Sequence, residues 1–145
     1  MLNDSFKLVG SLAIVVTGPD GQVKDKCEVH NLVVDSGKAF IAGRMTGTET
    51  VMSHMSLGTG TAAAVVADTT LGAEVGRVSL SSSSSAGAVA TYAANFTAGT
   101  ATGAITEAGI FNDAVAGVML CRTVFAVVNK AAEDSMSITW QVTAS

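Results

Sequence analysis

The sequence predicts an all-β protein, an antiparallel β-sandwich of jelly-roll-like topology with one short helix, folded as a single domain over residues 1–145. Three observations predict it. Eight segments alternate apolar with small or polar residues, which is the period of a half-buried strand. Turn signals built on glycine, proline, asparagine and serine separate these segments at short intervals. Only one stretch carries apolar residues at helical spacing, and 145 residues are enough for one sizeable core.

The first strand runs from Lys7 to Thr17. Phe6, Leu8, Leu12, Ile14 and Val16 share one parity and Val9, Ala13 and Val15 the other, so the strand is expected to be buried on much of both faces. Gly18-Pro19-Asp20-Gly21 turns the chain back, with Pro19 pre-setting one dihedral and Gly21 accepting a positive φ. The return strand, Gln22 to Val34, sets Val23, Asp25, Cys27 and Val29 toward the core and Lys24, Lys26, Glu28 and His30 toward water. These two strands are expected to form a main pairing unit.

Asp35 or Ser36 then stands as the cap of a helix through Lys38, Phe40, Ile41, Arg44 and Met45 that stops at Gly47. Its apolar side is expected to plug one end of the sandwich. Two further strands, Met52 to Leu57 and Val75 to Leu80, bracket a connection too long for a hairpin turn. The five-serine run Ser81 to Ser85 reads as a loop. Strands follow at Ala88 to Phe96, Ile105 to Phe111, Val118 to Val128 and Met136 to Thr143, and Gly109 marks a bulge or a close backbone approach.

The connection between Leu57 and Val75 draws most attention. Gly58 and Gly60 bracket a threonine, which lets the chain turn sharply, and Asp68 is placed to accept from the amides of Thr70 and Leu71 at the start of a helical turn. The arm from Gly58 to Leu71 is rich in Ala, Val and Thr and has no charge before Asp68. Such a surface is an odd one to leave in water, so the arm is expected either to cover a partner subunit or to fold back over its own sandwich. As an interface, its residues would be Gly58, Gly60, Ala62, Val65, Val66 and Leu71.

Composition narrows the function classes. Hydrophobic residues make up 48% and charged residues 14%, against about 25% charged in ordinary domains. The surface is therefore rich in Ser and Thr, covered by partners, or both. A formal net charge of −4 with scattered basic residues argues against a nucleic-acid coat. No apolar run approaches the roughly 18 residues of a membrane span, because Leu8 to Val16 is broken by Gly10 and Ser11. The first residues lack a basic n-region, with Asp4 preceding Lys7, so no signal peptide is expected and synthesis is placed in the cytosol. Cys27 and Cys121 read as free thiols rather than a disulfide in that setting.

Residue patterns that carry catalysis or metal binding are sparse. His30 beside Glu28, and His54, have no second soft ligand at metal spacing, and no serine stands in a nucleophile-elbow pattern. Gly58-Thr59-Gly60 lacks the third glycine of a dinucleotide loop and the Gly-Lys-Thr of a P-loop. No cofactor and no metal is expected. More informative are Glu74, Arg77, Glu107 and Arg122, charged residues in or beside otherwise apolar strands. A buried charge is costly unless paired, so these four are expected to pair under a loop or across strands, fixing the fold or meeting a neighbouring subunit.

Taken with His30-Asn31-Leu32-Val33, Glu107-Ala108-Gly109-Ile110-Phe111-Asn112 and Leu120-Cys121-Arg122-Thr123-Val124-Phe125, the block from Met52 to Leu80 resembles small virion structural proteins of tailed bacteriophages. The resemblance runs from about His30 to the C-terminus. It implies a non-enzymatic role, either a capsid cement (decoration) protein or a tail-fibre or baseplate module that binds a host receptor. Cement is the leading expectation: a homo-oligomer made in the host cytoplasm that binds the phage major capsid protein at the capsid surface, with no nucleic-acid or membrane partner. A small carbohydrate-active enzyme or lectin is the rival from another class, although one Trp and one Tyr make a poor sugar cleft.

Overall fold

The computed structural model describes residues 6–145, so the reading of the first five residues lies outside it. Nine strands and one helix follow in the order β1 (Leu8–Thr17), β2 (Val23–Val33), α1 (Asp35–Met45), β3 (His54–Gly58), β4 (Glu74–Ser79), β5 (Ser82–Ala86), β6 (Val89–Phe96), β7 (Gly103–Phe111), β8 (Met119–Lys130) and β9 (Ser135–Ala144). All pairings are antiparallel. The strands hydrogen-bond in one continuous order, β4-β3-β7-β8-β2-β1-β9-β6-β5, a single curled antiparallel sheet.

The sheet curls at β2. That strand pairs with β1 from Val23 to Asn31 and with β8 only through Leu32 and Val33, so it belongs to both halves and turns one onto the other. Leu12, Ile14, Val16, Ile138 and Trp140 from one half meet Met55, Leu57, Ile105, Ile110 and Cys121 from the other in a single core. Alternation explains the choice of face: in β9, Met136, Ile138, Trp140 and Val142 are buried while Ser137, Thr139 and Gln141 are exposed. Each fully buried aliphatic or aromatic side chain contributes on the order of 1.5–3 kcal/mol.

The β1–β2 hairpin forms as expected, with Gly21 at φ 81° in its turn. Its burial differs from expectation in two places. Ala13 and Val15 on the outer face of β1 are only half-buried, because no second layer covers that face. Val23 and Asp25, both expected to face the core, are exposed, since this end of β2 has β1 as its only strand neighbour.

The serine run is a strand, not a loop. Ser82 to Ala86 pairs with Ala93 to Val89 around Gly87, which has φ 56°. Both faces of β5 are exposed, so it lacks the apolar alternation that would have marked it, and only its backbone makes it a strand. The helix also differs at its start. Val34 holds the N-cap position without a side-chain cap, and the Ser36 hydroxyl donates instead to the Met119 carbonyl at 2.8 Å. Phe40 is buried and Ile41 packs against the core, but Arg44 and Met45 face solvent, so only half of the expected plug is present. Both cysteines are free thiols, Cys121 buried and Cys27 half-buried; burial raises both thiol pKa values, Cys121 the more strongly.

Candidate functional site: the β3–β4 arm and its charge network

Strands β3 and β4 pair directly, so the connection between them is the arm of a long-looped hairpin. The arm lies over the outer face of β7 and β8, the side away from the main core. Leu71 is 7% exposed there and forms a second small core with Val34, Phe111 and Met119. Gly109 makes this fit, because a Cβ at that position would stand 3.1 Å from Leu71 Cδ2. What crowds Gly109 is therefore not backbone, as expected, but the side chains of Leu71, Phe111 and Met119.

A buried carboxylate and a buried guanidinium hold the arm down. Glu107, on β7, accepts from the Ala73 amide at 2.7 Å and the Gly72 amide at 3.0 Å. Arg122, opposite Gly109 on β8, donates through Nη2 to Glu107 Oε2 at 2.7 Å and to the Ala62 carbonyl at 3.0 Å, and through Nη1 to Asp68 Oδ2 at 2.8 Å. The Thr106 hydroxyl adds a bond to the Gly60 carbonyl. Burial alone would push the Glu107 carboxyl up, but the two amides and the guanidinium outweigh it and hold its pKa below the usual value. Burial likewise acts to lower Arg122, and its bonds to Glu107 and Asp68 reverse that.

Gly58 and Gly60 have a different purpose from the one their sequence suggested. Neither has a positive φ. A Cβ on Gly58 would collide with Glu107 Oε1, and one on Gly60 would stand 2.6 Å from Glu107 Oε2, so the two glycines leave room for the buried carboxylate.

Asp68 also departs from expectation. It accepts from the Val65 amide, upstream of it, and from Arg122, rather than from Thr70 and Leu71. Sequence reasoning missed its place in the network, although it is the one carboxylate between Gly58 and Glu74.

Glu74 and Arg77 also pair, but within β4 rather than across strands or under a loop, and Glu74 is exposed rather than buried. Arg77 reaches Glu74 at 2.7 Å, donates to the carbonyls of Asp113 and Ala116, and lies 3.8 Å from the centre of the Phe111 ring. The four charged residues thus form two pairs, Glu74 with Arg77 and Glu107 with Arg122. Two further buried charges, Lys130 and Asp134, went unnoticed in the sequence. Lys130 donates to the Thr97 carbonyl at 3.0 Å, and Asp134 binds Lys24 at 2.8 Å and the Ala131 amide. Burial lowers Lys130, whereas the bond from Lys24 foremost lowers Asp134.

What the network leaves outside is the tip of the arm. Ala62 and Ala63 are exposed, Val65 is 52% exposed and Val66 44%, although the Val66 carbonyl accepts from the Asp35 amide at 2.7 Å. Of the six residues expected at an interface, Gly58 and Leu71 are buried, Gly60 is half-buried and only Ala62, Val65 and Val66 are at the surface.

Among the described residues no group of three His, Cys, Asp or Glu could hold a metal ion. His54 sits between Ser53 and Ser79, while His30 points outward from β2 and offers its carbonyl to Thr123. Trp140 is wholly buried, so it offers no platform for a sugar ring. No helix of the described residues is long and apolar enough to cross a membrane.

Comparison with protein-family models, curated proteins and solved structures finds no match to this chain.

Proposed function

We propose that this chain is a structural protein of a tailed-phage particle, acting as a capsid cement protein that binds the major capsid protein lattice. The observation that carries the reading is the arm: an uncharged tip of Ala62, Val65 and Val66 displayed on a segment anchored by the buried Glu107 and Arg122 of the strands beneath it. A binding loop already fixed in one shape loses little conformational entropy when a partner covers it. The resemblance of the His30, Met52–Leu80, Glu107 and Leu120 blocks to virion proteins points the same way. The mechanism is mechanical. Apolar area exposed on the shell is covered by the tip, and modest contacts accumulate because the lattice repeats them.

The test is to mix purified protein with separated heads and tails of the parent phage and locate it by co-sedimentation and electron microscopy. Regular density on heads is expected. Binding confined to tails would replace cement by the fibre or baseplate reading, and binding to neither would remove the virion role.

A further inference from the structure

We propose that the free edge of β5 is a self-pairing surface, on which β5 of a second copy of this chain adds antiparallel about a two-fold axis. The inference is independent of the virion reading, because it rests on the sheet alone.

The strand order has two ends, β4 and β5, and the two are treated differently. Strand β4 carries Glu74 and Arg77, is shifted in register against Gly58, and lies with Gly76 against Ala101. These are devices by which an edge avoids pairing with another chain. Strand β5 has none of them. It reads Ser-Ser-Ser-Ser-Ala, without charge, proline or register shift, and its ladder is with β6 alone. No other backbone bond engages Ser82 to Ser85 among the described residues. One row of its N–H and C=O groups therefore faces outward.

A second copy fits this edge better than a charged partner does. No Asp, Glu, Lys, Arg or His occurs between Arg77 and Glu107, so the whole β5–β6 hairpin is neutral and can approach its own image without like-charge repulsion. Antiparallel pairing of one strand with its own copy is self-complementary, as an isologous two-fold interface requires. With the axis at Ser84, the middle residue, Ser83 of each copy faces Ser85 of the other. Strand β5 also borders a cleft of about 370 Å³, where Ser83, Ser84 and Ser85 stand with Tyr92 against the apolar Phe40, Ile41 and Val51 and the single charged residue Arg44. Edge pairing would bring the second copy alongside that cleft and add apolar burial to the backbone bonds.

The experiment is sedimentation velocity on the wild type, Ser84→Lys and Ser84→Thr from micromolar concentration to the solubility limit. Circular dichroism and amide exchange at Ser82–Ala86 accompany it. A wild-type dimer is expected, twice 14.5 kDa. Ser84→Lys places two ammonium groups across the axis and should stay monomeric with an unchanged spectrum, while Ser84→Thr should dimerise. The β5 amides should exchange more slowly in the dimer than in dilute monomer, a readout that needs no variant. A wild type that remains at 14.5 kDa throughout overturns the proposal. So does a dimer whose β5 amides exchange as fast as the monomer's, or a Ser84→Lys protein that dimerises like the wild type.

Discussion

Arg122 and Glu107 meet at 2.7 Å with side chains 3% and 0% exposed, from adjacent strands under an arm whose backbone both of them bind. Removing Arg122 leaves the buried Glu107 without its counter-charge, a loss on the order of 3–5 kcal/mol, whereas removing Glu107 leaves Arg122 only Asp68, and removing both leaves only the partly exposed Asp68 without its partner. Arg122→Met and Glu107→Gln are therefore each expected to be strongly destabilising, and the double variant less so than their sum. Denaturant unfolding of the four proteins in a double-mutant cycle measures this. Additive losses would mean that the pair carries no coupling.

The same carboxylate makes stability depend on acid. The folded pKa of Glu107 lies below its unfolded value of about 4.3, so its contribution is complete above that value and is lost as pH falls through the folded one. Asp134, lowered chiefly by Lys24, adds to the fall in the same direction. Melting temperature is expected to be flat near neutrality and to drop below about pH 5. The gap between wild type and Glu107→Gln should narrow as the pH is lowered, and a gap that stays constant to pH 3 would exclude Glu107 as its source.

Room for that carboxylate is provided by glycine. Gly58→Ala and Gly60→Ala push a methyl into Glu107, and overpacking of this kind costs about 1–3 kcal/mol. Gly72→Ala is the control, since its Cβ would meet Glu107 Oε2 at an ordinary 3.4 Å. Thermal unfolding should rank Gly58 and Gly60 well below Gly72 in tolerance. Equal losses at all three would indicate a backbone effect instead.

These contacts show what a sequence carries. Strands with one dry face were legible, because burial imposes alternation, as Met136 to Val142 illustrates. Strand β5 was not, because both its faces are wet and no selection for apolar residues acts on it. The charges at Glu107 and Arg122 stood out against apolar neighbours, and the pairing that burial demands is present. Asp68 was harder to read. Its partner lies 54 positions away, and an Asp before two threonines also fits a local helix cap. Gly58 and Gly60 were misread for a related reason: a glycine that turns the chain and a glycine that makes space look identical in sequence. Val66 and Leu71 differ by five positions, yet one is 44% exposed and the other 7%, a division set by the strands beneath the arm.

That division decides the last prediction. Leu71 covers Phe111 and Met119, so this part of the arm folds back on its own sheet, while the tip at Val65 and Val66 remains in water. Exposed substitutions of this kind usually change stability by no more than about 0.5 kcal/mol. Val65→Asp and Val66→Asp are therefore expected to leave the isolated protein folded, with an unchanged melting temperature, and to abolish its attachment to heads. Val65→Ser, which removes apolar area without adding charge beside Asp68, should weaken attachment and not abolish it. If the aspartate variants unfold the free protein, the tip belongs to the core; if they bind heads as the wild type does, the capsid contact lies elsewhere on the molecule. Retention of tail or host-cell binding in every variant, with no head binding in the wild type, would move the chain from the shell to the tail.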